Sequence, residues 1–209
     1  VYNYMMLGLA LTGIVAYVVG TTPALYLPIF GSPLKWVVML APLAFVFFFS
    51  FRIQAMSTST AQLTFWAFCA VMGLSMASIF LAFTGASIAR VFFITAGMFG
   101  AASLYGYTTK ADLTKMGSFL FMGLIGIVIA SLVNIFLASS ALSFAISVIG
   151  VLLFTGLTAY DTQRIKSMYY AIGQYGGMMG KAAIMGALTL YLDFINLFTF
   201  LLQFMGDRR

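Results

Sequence analysis

Polar residues are so sparse along this chain that they serve mainly to separate apolar runs. Seven such runs can be drawn, at about residues 4–20, 36–51, 62–83, 90–107, 116–138, from 142 onward, and 181–209. Each is long enough for a helix that crosses a membrane, since about 20 apolar residues span about 30 Å of hydrocarbon. The first connector holds Pro23, Pro28 and Pro33 at five-residue spacing. Those prolines predict an extended, partly ordered link. Pro42 predicts a kink in the second segment, Arg52 closes it, and Ser57-Thr-Ser-Thr60 marks the next turn. Small residues at helical spacing, such as Ala96 with Gly100 and Gly126 with Ala130, fit close helix packing. The expected fold is an all-α integral membrane protein with seven transmembrane helices, forming one domain over residues 1–209.

Composition agrees with lipid as the solvent. The chain is 63% hydrophobic and 7% charged, with a mean hydropathy of +1.10, more apolar surface than a soluble domain of 209 residues can hide. Ten Lys/Arg against four Asp give a formal charge of +6. No basic run with interleaved aromatics accompanies it, so nucleic acid is not an expected partner. Loop charge sets orientation instead. With the N-terminus cytoplasmic, Arg52, Lys110, Lys115, Arg164, Lys166 and Lys181 fall inside, and Lys35, Arg90, Arg208 and Arg209 outside. Arg90 and the Lys110/Asp112/Lys115 group read as solvated loop charges. The chain opens on Val1 rather than Met, so a further N-terminal tail is expected; no cleavable signal pattern is seen.

Absent residue types remove several chemistries. There is no His and no Glu, and the single Cys is Cys69 within an apolar segment. An intrachain disulfide, Cys/His zinc sites, Ser-His hydrolysis and HExxH metalloprotease chemistry are excluded. Carboxylates can come only from Asp112, Asp161, Asp193 and Asp207.

Asp193 stands near the middle of the seventh segment, roughly 18 Å along a helix that starts at Lys181. An ionised carboxylate at that depth costs several kcal/mol, so it is expected to face the bundle interior, a partner or water. Gly173, Gly176, Gly177 and Gly180 break the chain between segments six and seven. In an antiparallel hairpin about that turn, residues at equal height have numbers with a constant sum. Asp161 and Asp193 share a midpoint at residue 177, so they are expected level with one another if segment six stays helical to about Ile172. Two acids there cannot both ionise cheaply; they share a proton or capture a cation, and Ca²⁺ prefers such oxygens. Asn196, one turn after Asp193, can add an oxygen or a hydrogen bond. Arg52 is the natural cation to neutralise Asp161, with Arg164 competing. In the plainer readings Asp161 is an interfacial residue paired with Arg164, Asp193 makes a structural hydrogen bond, and Cys69 is inert and buried.

The stretch Leu190-Tyr-Leu-Asp193-Phe-Ile-Asn196-Leu-Phe198, with Ala159-Tyr-Asp161 before it, closely resembles the signature of the Bax inhibitor-1 family of seven-span proteins. Residues 106–117 and 131–136 look like its bacterial YccA-like branch. That resemblance implies two three-helix halves wrapped around the last helix, and a Ca²⁺ leak gated by protonation of an aspartate pair. By position the pair is Asp161 and Asp193, which would also bind the ion with support from Asn196, and Arg52 is the latch. The connector between the aspartates departs from leak-type members in being longer and richer in Gly. The favoured function is therefore a pH-sensitive calcium leak channel, with no cofactor beyond Ca²⁺ as the transported or bound ion. Its partners would be the lipid bilayer, Ca²⁺ and protons, and its place a bacterial inner membrane. An alternative implied by the branch is a regulator that restrains a membrane-bound AAA protease. A third reading, an intramembrane aspartyl protease, uses the same two acids, but the second is preceded by Leu190-Tyr-Leu rather than Gly-x-Gly, and no Pro follows Pro42.

Overall fold

A computed structural model describes residues 1–173 and 178–209. The described chain is all-α: α1 (Tyr2–Thr21), α2 (Pro23–Phe30), α3 (Leu34–Arg52), α4 (Thr58–Met76), α5 (Ile79–Ala82), α6 (Gly85–Thr108), α7 (Thr114–Leu137), α8 (Ser140–Ile172) and α9 (Met179–Met205). A 3-10 turn, Ile53–Ala55, extends α3. Seven helical stretches are long and apolar enough to cross a membrane, with α3 and its turn forming one and α4 with α5 another. The turn glycines between α8 and α9 include residues 176 and 177, which lie outside the described residues.

Two local expectations need correction. The proline-rich connector is not extended, because it folds as α2. Pro23 takes the first helical turn, where a backbone N–H has no intrahelical partner to lose. Pro28 comes close enough to the end of this eight-residue helix that few backbone bonds are forfeited, and its carbonyl accepts from Ser32 Oγ at 2.6 Å. Nor is Arg90 a loop charge. The fourth span starts at Gly85, so Arg90 lies in its second turn and pairs with Asp207, Nη2 to Oδ2 at 3.0 Å. The Asp207 N–H donates to Ser87 Oγ at 2.7 Å, tying the C-terminal end to the same turn.

Contacts cluster into two compact units. The first comprises Val1–Gly85, Tyr175–Tyr191 and Arg208–Arg209; the second comprises Ala86–Gln174 and Leu192–Asp207. The last helix thus contributes to both. It is also the most buried span, with 67% of its apolar window inside against 11% for α7. Leu190, Tyr191 and Leu197 are completely or almost completely enclosed, whereas α7 presents Phe119, Phe121 and Phe136 outward. In lipid that face needs no cover.

Within the first unit, α1 and α4 approach through glycines. A Cβ on Gly73 would meet Val15 and the Thr12 carbonyl within 3 Å, and one on Gly8 would meet Cys69 Sγ at 2.8 Å. Small residues bring the backbones together where no hydrophobic effect operates between lipid-immersed helices. Ser57 starts α4 by accepting the Thr60 N–H at 3.2 Å. In the second unit the same device joins α6 to α8: the Gly106 backbone lies against the Ala159 carbonyl, and Gly117 of α7 leaves room for the Tyr160 ring. The α7–α8 turn is pinned by Asn134, whose Oδ1 accepts from the Ser139 N–H at 3.0 Å and whose Nδ2 donates to Ser143 Oγ at 2.7 Å.

These contacts predict opposite outcomes for two glycines of the second unit. Gly106→Ala places its methyl on a backbone carbonyl and should lower stability by about 1–3 kcal/mol. Gly126→Ala, with nothing within 4 Å of the new carbon, should leave the thermal midpoint in detergent unchanged or slightly raised.

Candidate functional site

The site is built by α8 and by the second half of α9. The thirty-three residues of α8 carry no internal Pro, and Ser139 opens the helix by accepting the Leu142 N–H at 3.2 Å. Helix persists to Ile172, which is what the hairpin register required of it. Asp161 is 7% exposed and Asp193 5%. Their carboxyl groups are near neighbours, close enough for each to act on the other.

That contact has a chemical consequence. Carboxylates are acceptors only, so two of them cannot hydrogen-bond unless a proton sits between them. Without that proton, a cation must do the same work or the two charges repel at short range. Among the described residues, the buried Asp193 Oδ2 receives no hydrogen bond. On α8, Thr158 Oγ1 donates to the Phe154 carbonyl at 2.7 Å, and Thr162 Oγ1 donates to Ser103 Oγ at 3.4 Å. Aromatic rings wall the α9 side, with Phe92 and Phe99 edge-on to Phe194 at 5.6 and 5.4 Å between centroids.

Among the described residues no group of three or more acidic, His or Cys side chains could hold a metal ion. Two carboxylates offer four oxygens at most, whereas Ca²⁺ takes about 6–8.

The remaining candidate residues are placed as follows. Asn196 is half-buried and its Nδ2 donates to the Leu192 carbonyl of its own helix at 2.8 Å, so that donor is used locally. Arg52 is the exposed last residue of α3 and belongs to the first unit, whereas both aspartates belong to the second. Arg164 is exposed and, among the described residues, forms no ion pair with Asp161; the ion pair present is Arg90–Asp207. Arg164 nevertheless stands close enough for its charge to act on Asp161.

Sequence reasoning missed a polar cluster in the first unit. Thr12 Oγ1 donates to the Cys69 carbonyl at 2.9 Å, which leaves the Tyr191 hydroxyl to donate to Thr12 Oγ1 at 2.5 Å. Tyr191 is fully buried, with Phe65 and Phe68 edge-on to its ring. Tyr191 stands two residues before Asp193, but nothing in the sequence pointed to Thr12 as its partner. Cys69 is fully buried beside this cluster.

The paired carboxyls predict a split between two substitutions. Asp193→Ala strands Asp161 in a buried place and should cost about 1–3 kcal/mol in thermal unfolding. Asp193→Asn, whose amide can donate to Asp161, should cost clearly less. Equal losses would show that the two side chains do not support each other.

Comparison with known proteins bears on identity. A family model described as "Inhibitor of apoptosis-promoting Bax1" matches residues 1–209. An uncharacterized protein of Rickettsia prowazekii is 51% identical over 209 residues, covering all of this chain and 88% of the relative. "Inner membrane protein YbhL" of Escherichia coli is 49% identical over 211 residues, covering all of this chain and 90% of the relative. An uncharacterized protein of Borreliella burgdorferi is 44% identical over 210 residues, with 100% and 90% coverage. With seven apolar helices and a match along its whole length, the chain belongs to the Bax inhibitor-1 family of membrane proteins.

Proposed function

We propose that this protein is a proton-sensitive leak pathway for Ca²⁺ in a bacterial inner membrane, with Asp161 and Asp193 as its sensor. The observation that carries the reading is the contact between two buried carboxyl groups on α8 and α9. Such a contact is neutral or singly charged while a proton is shared. It becomes a site of concentrated negative charge when the proton leaves, and at about 4 Å two like charges repel by about 4 kcal/mol at an effective dielectric constant of 20. That energy is large enough to change helix spacing, and the same oxygens can then meet a cation. Asp161 and Asp193 are thus both gate and transient ion contact, and Asn196 shapes the adjoining turn of α9.

Placement in an inner membrane is supported by the printed name of the Escherichia coli relative. The N-terminus is assigned to the cytoplasm from loop charge. Contacts within the first unit fit alternate ends for alternate connectors: Lys181 Nζ reaches the Gln54 carbonyl at 3.1 Å, while the Arg209 N–H reaches the Ala82 carbonyl at 3.0 Å.

Two experiments test this reading. In proteoliposomes, Ca²⁺ entry through the unaltered protein should vary with pH. Asp161→Asn and Asp193→Asn should each abolish that variation, and Asp112→Asn, on an exposed loop, should preserve it. Unchanged pH dependence in Asp193→Asn removes the proposal. For orientation, buried Cys69 leaves little background for thiol labelling. An impermeant maleimide applied to intact cells should label Arg209→Cys and not Lys115→Cys; the reverse pattern inverts the assignment.

A further inference from the structure

The α8 helix is longer than its membrane passage requires. About 20 residues cross the hydrocarbon, and the core with both headgroup layers is about 40–45 Å thick. Arg164 lies 24 residues after Ser140, roughly 36 Å along the helix. If Ser140 marks one edge of the hydrocarbon, Arg164 falls at the headgroup level of the opposite leaflet.

The second unit gathers more charge at this level. Gln163 fastens the 109–113 connector onto α8, accepting the Leu113 N–H at 2.9 Å and donating to the Ala111 carbonyl at 2.7 Å. Leu113 is buried beneath. That double bond places Lys110 and Lys115, both exposed, at the same end as Arg164 and Lys166. Lys166 Nζ donates to the Tyr107 carbonyl at 2.7 Å and sits 4.6 Å from the centre of the Tyr107 ring. Exposed Tyr169 and Tyr170 continue the helix, the residue type enriched at membrane interfaces.

Acids offset this charge only in part: Asp112 acts on Lys115 and Asp161 on Arg164 without a close ion pair. Among the described residues none of the four cations is in an ion pair. The one carboxylate in the connector, Asp112, accepts from Thr114 Oγ1 at 2.6 Å and from the Thr114 N–H at 3.0 Å. Those bonds hold it below the ordinary carboxylate range and direct it at its own turn.

We propose that Lys110, Lys115, Arg164 and Lys166, held together by Gln163, form a binding surface for the phosphate headgroup of an anionic phospholipid at the rim of the second unit. The Tyr107 ring, against Lys166, belongs to the same surface. The surface lies one helical turn from Asp161, whose carboxyl group feels the Arg164 charge, and it does not depend on the direction in which the chain is inserted.

Thermal unfolding of the full chain in neutral detergent, with added phosphatidylglycerol or phosphatidylcholine, tests this. Phosphatidylglycerol should raise the midpoint well above phosphatidylcholine, and salt should erode the difference. Lys110→Gln, Lys115→Gln and Arg164→Gln combined alter only exposed side chains and should erase it. The same set should weaken phosphatidylglycerol retention in native mass spectrometry, by about fivefold per charge. Lys35→Gln, in the first unit, should leave both readouts intact. Equal gains from the two lipids, full retention by the triple variant, or loss in Lys35→Gln overturns the proposal. A matching rise with inorganic phosphate alone would mean a phosphate site in place of a lipid site, and would overturn it too.

Discussion

Two buried carboxyl groups beside one another impose the strictest demand in this molecule. They are tolerated only with a proton or cation between them. Every feature around them bears on that condition. α8 must remain helical well past the membrane core to bring Asp161 to the level of Asp193, and it does so to Ile172. The Gly106 backbone must approach the Ala159 carbonyl, and Phe194 must be closed in by Phe92 and Phe99. The acids are rare in a chain with four carboxylates in all, and two of the four are spent here.

The remaining charges are distributed on simpler terms. Asp207 and Arg90 meet at one end of the second unit and Asp112 closes a turn on Thr114. Among the described residues, the cations near Gln163 have no close ion pair. In a medium where unmatched charge is expensive, this segregation reads as a division of labour between interior and rim. The interior holds a neutralisable pair, and the rim holds permanent positive charge where headgroups and water can solvate it.

Much of the fold could be read from the sequence because lipid makes hydropathy decisive. Seven apolar runs became seven spans with ends shifted by a few residues. The pairing of Asp161 with Asp193 was suggested for a different reason: helical rise is constant, so numbering sets the level of each acid along its own helix, while the glycines that would centre the hairpin lie outside the described residues. The Pro23–Phe30 segment was misread because proline was treated as a breaker, although its first turn asks for no N–H. Arg90 was misread because charge was used to mark a span's edge, whereas α6 continues a turn beyond it to a partner 117 positions away. The Thr12–Cys69–Tyr191 cluster was invisible for a similar reason, since its bonds join residues 57 and 179 positions apart. Single hydroxyls in apolar helices give no sign of which neighbour they will meet.

A proton shared by Asp161 and Asp193, as proposed, can be sought by infrared difference spectroscopy of the membrane-reconstituted protein. The account predicts a carbonyl stretch from a protonated, weakly hydrated carboxyl group, present in the unaltered chain and lost in both Asp161→Asn and Asp193→Asn. A spectrum with no such band and no bound cation, or a band that survives both substitutions, would contradict it.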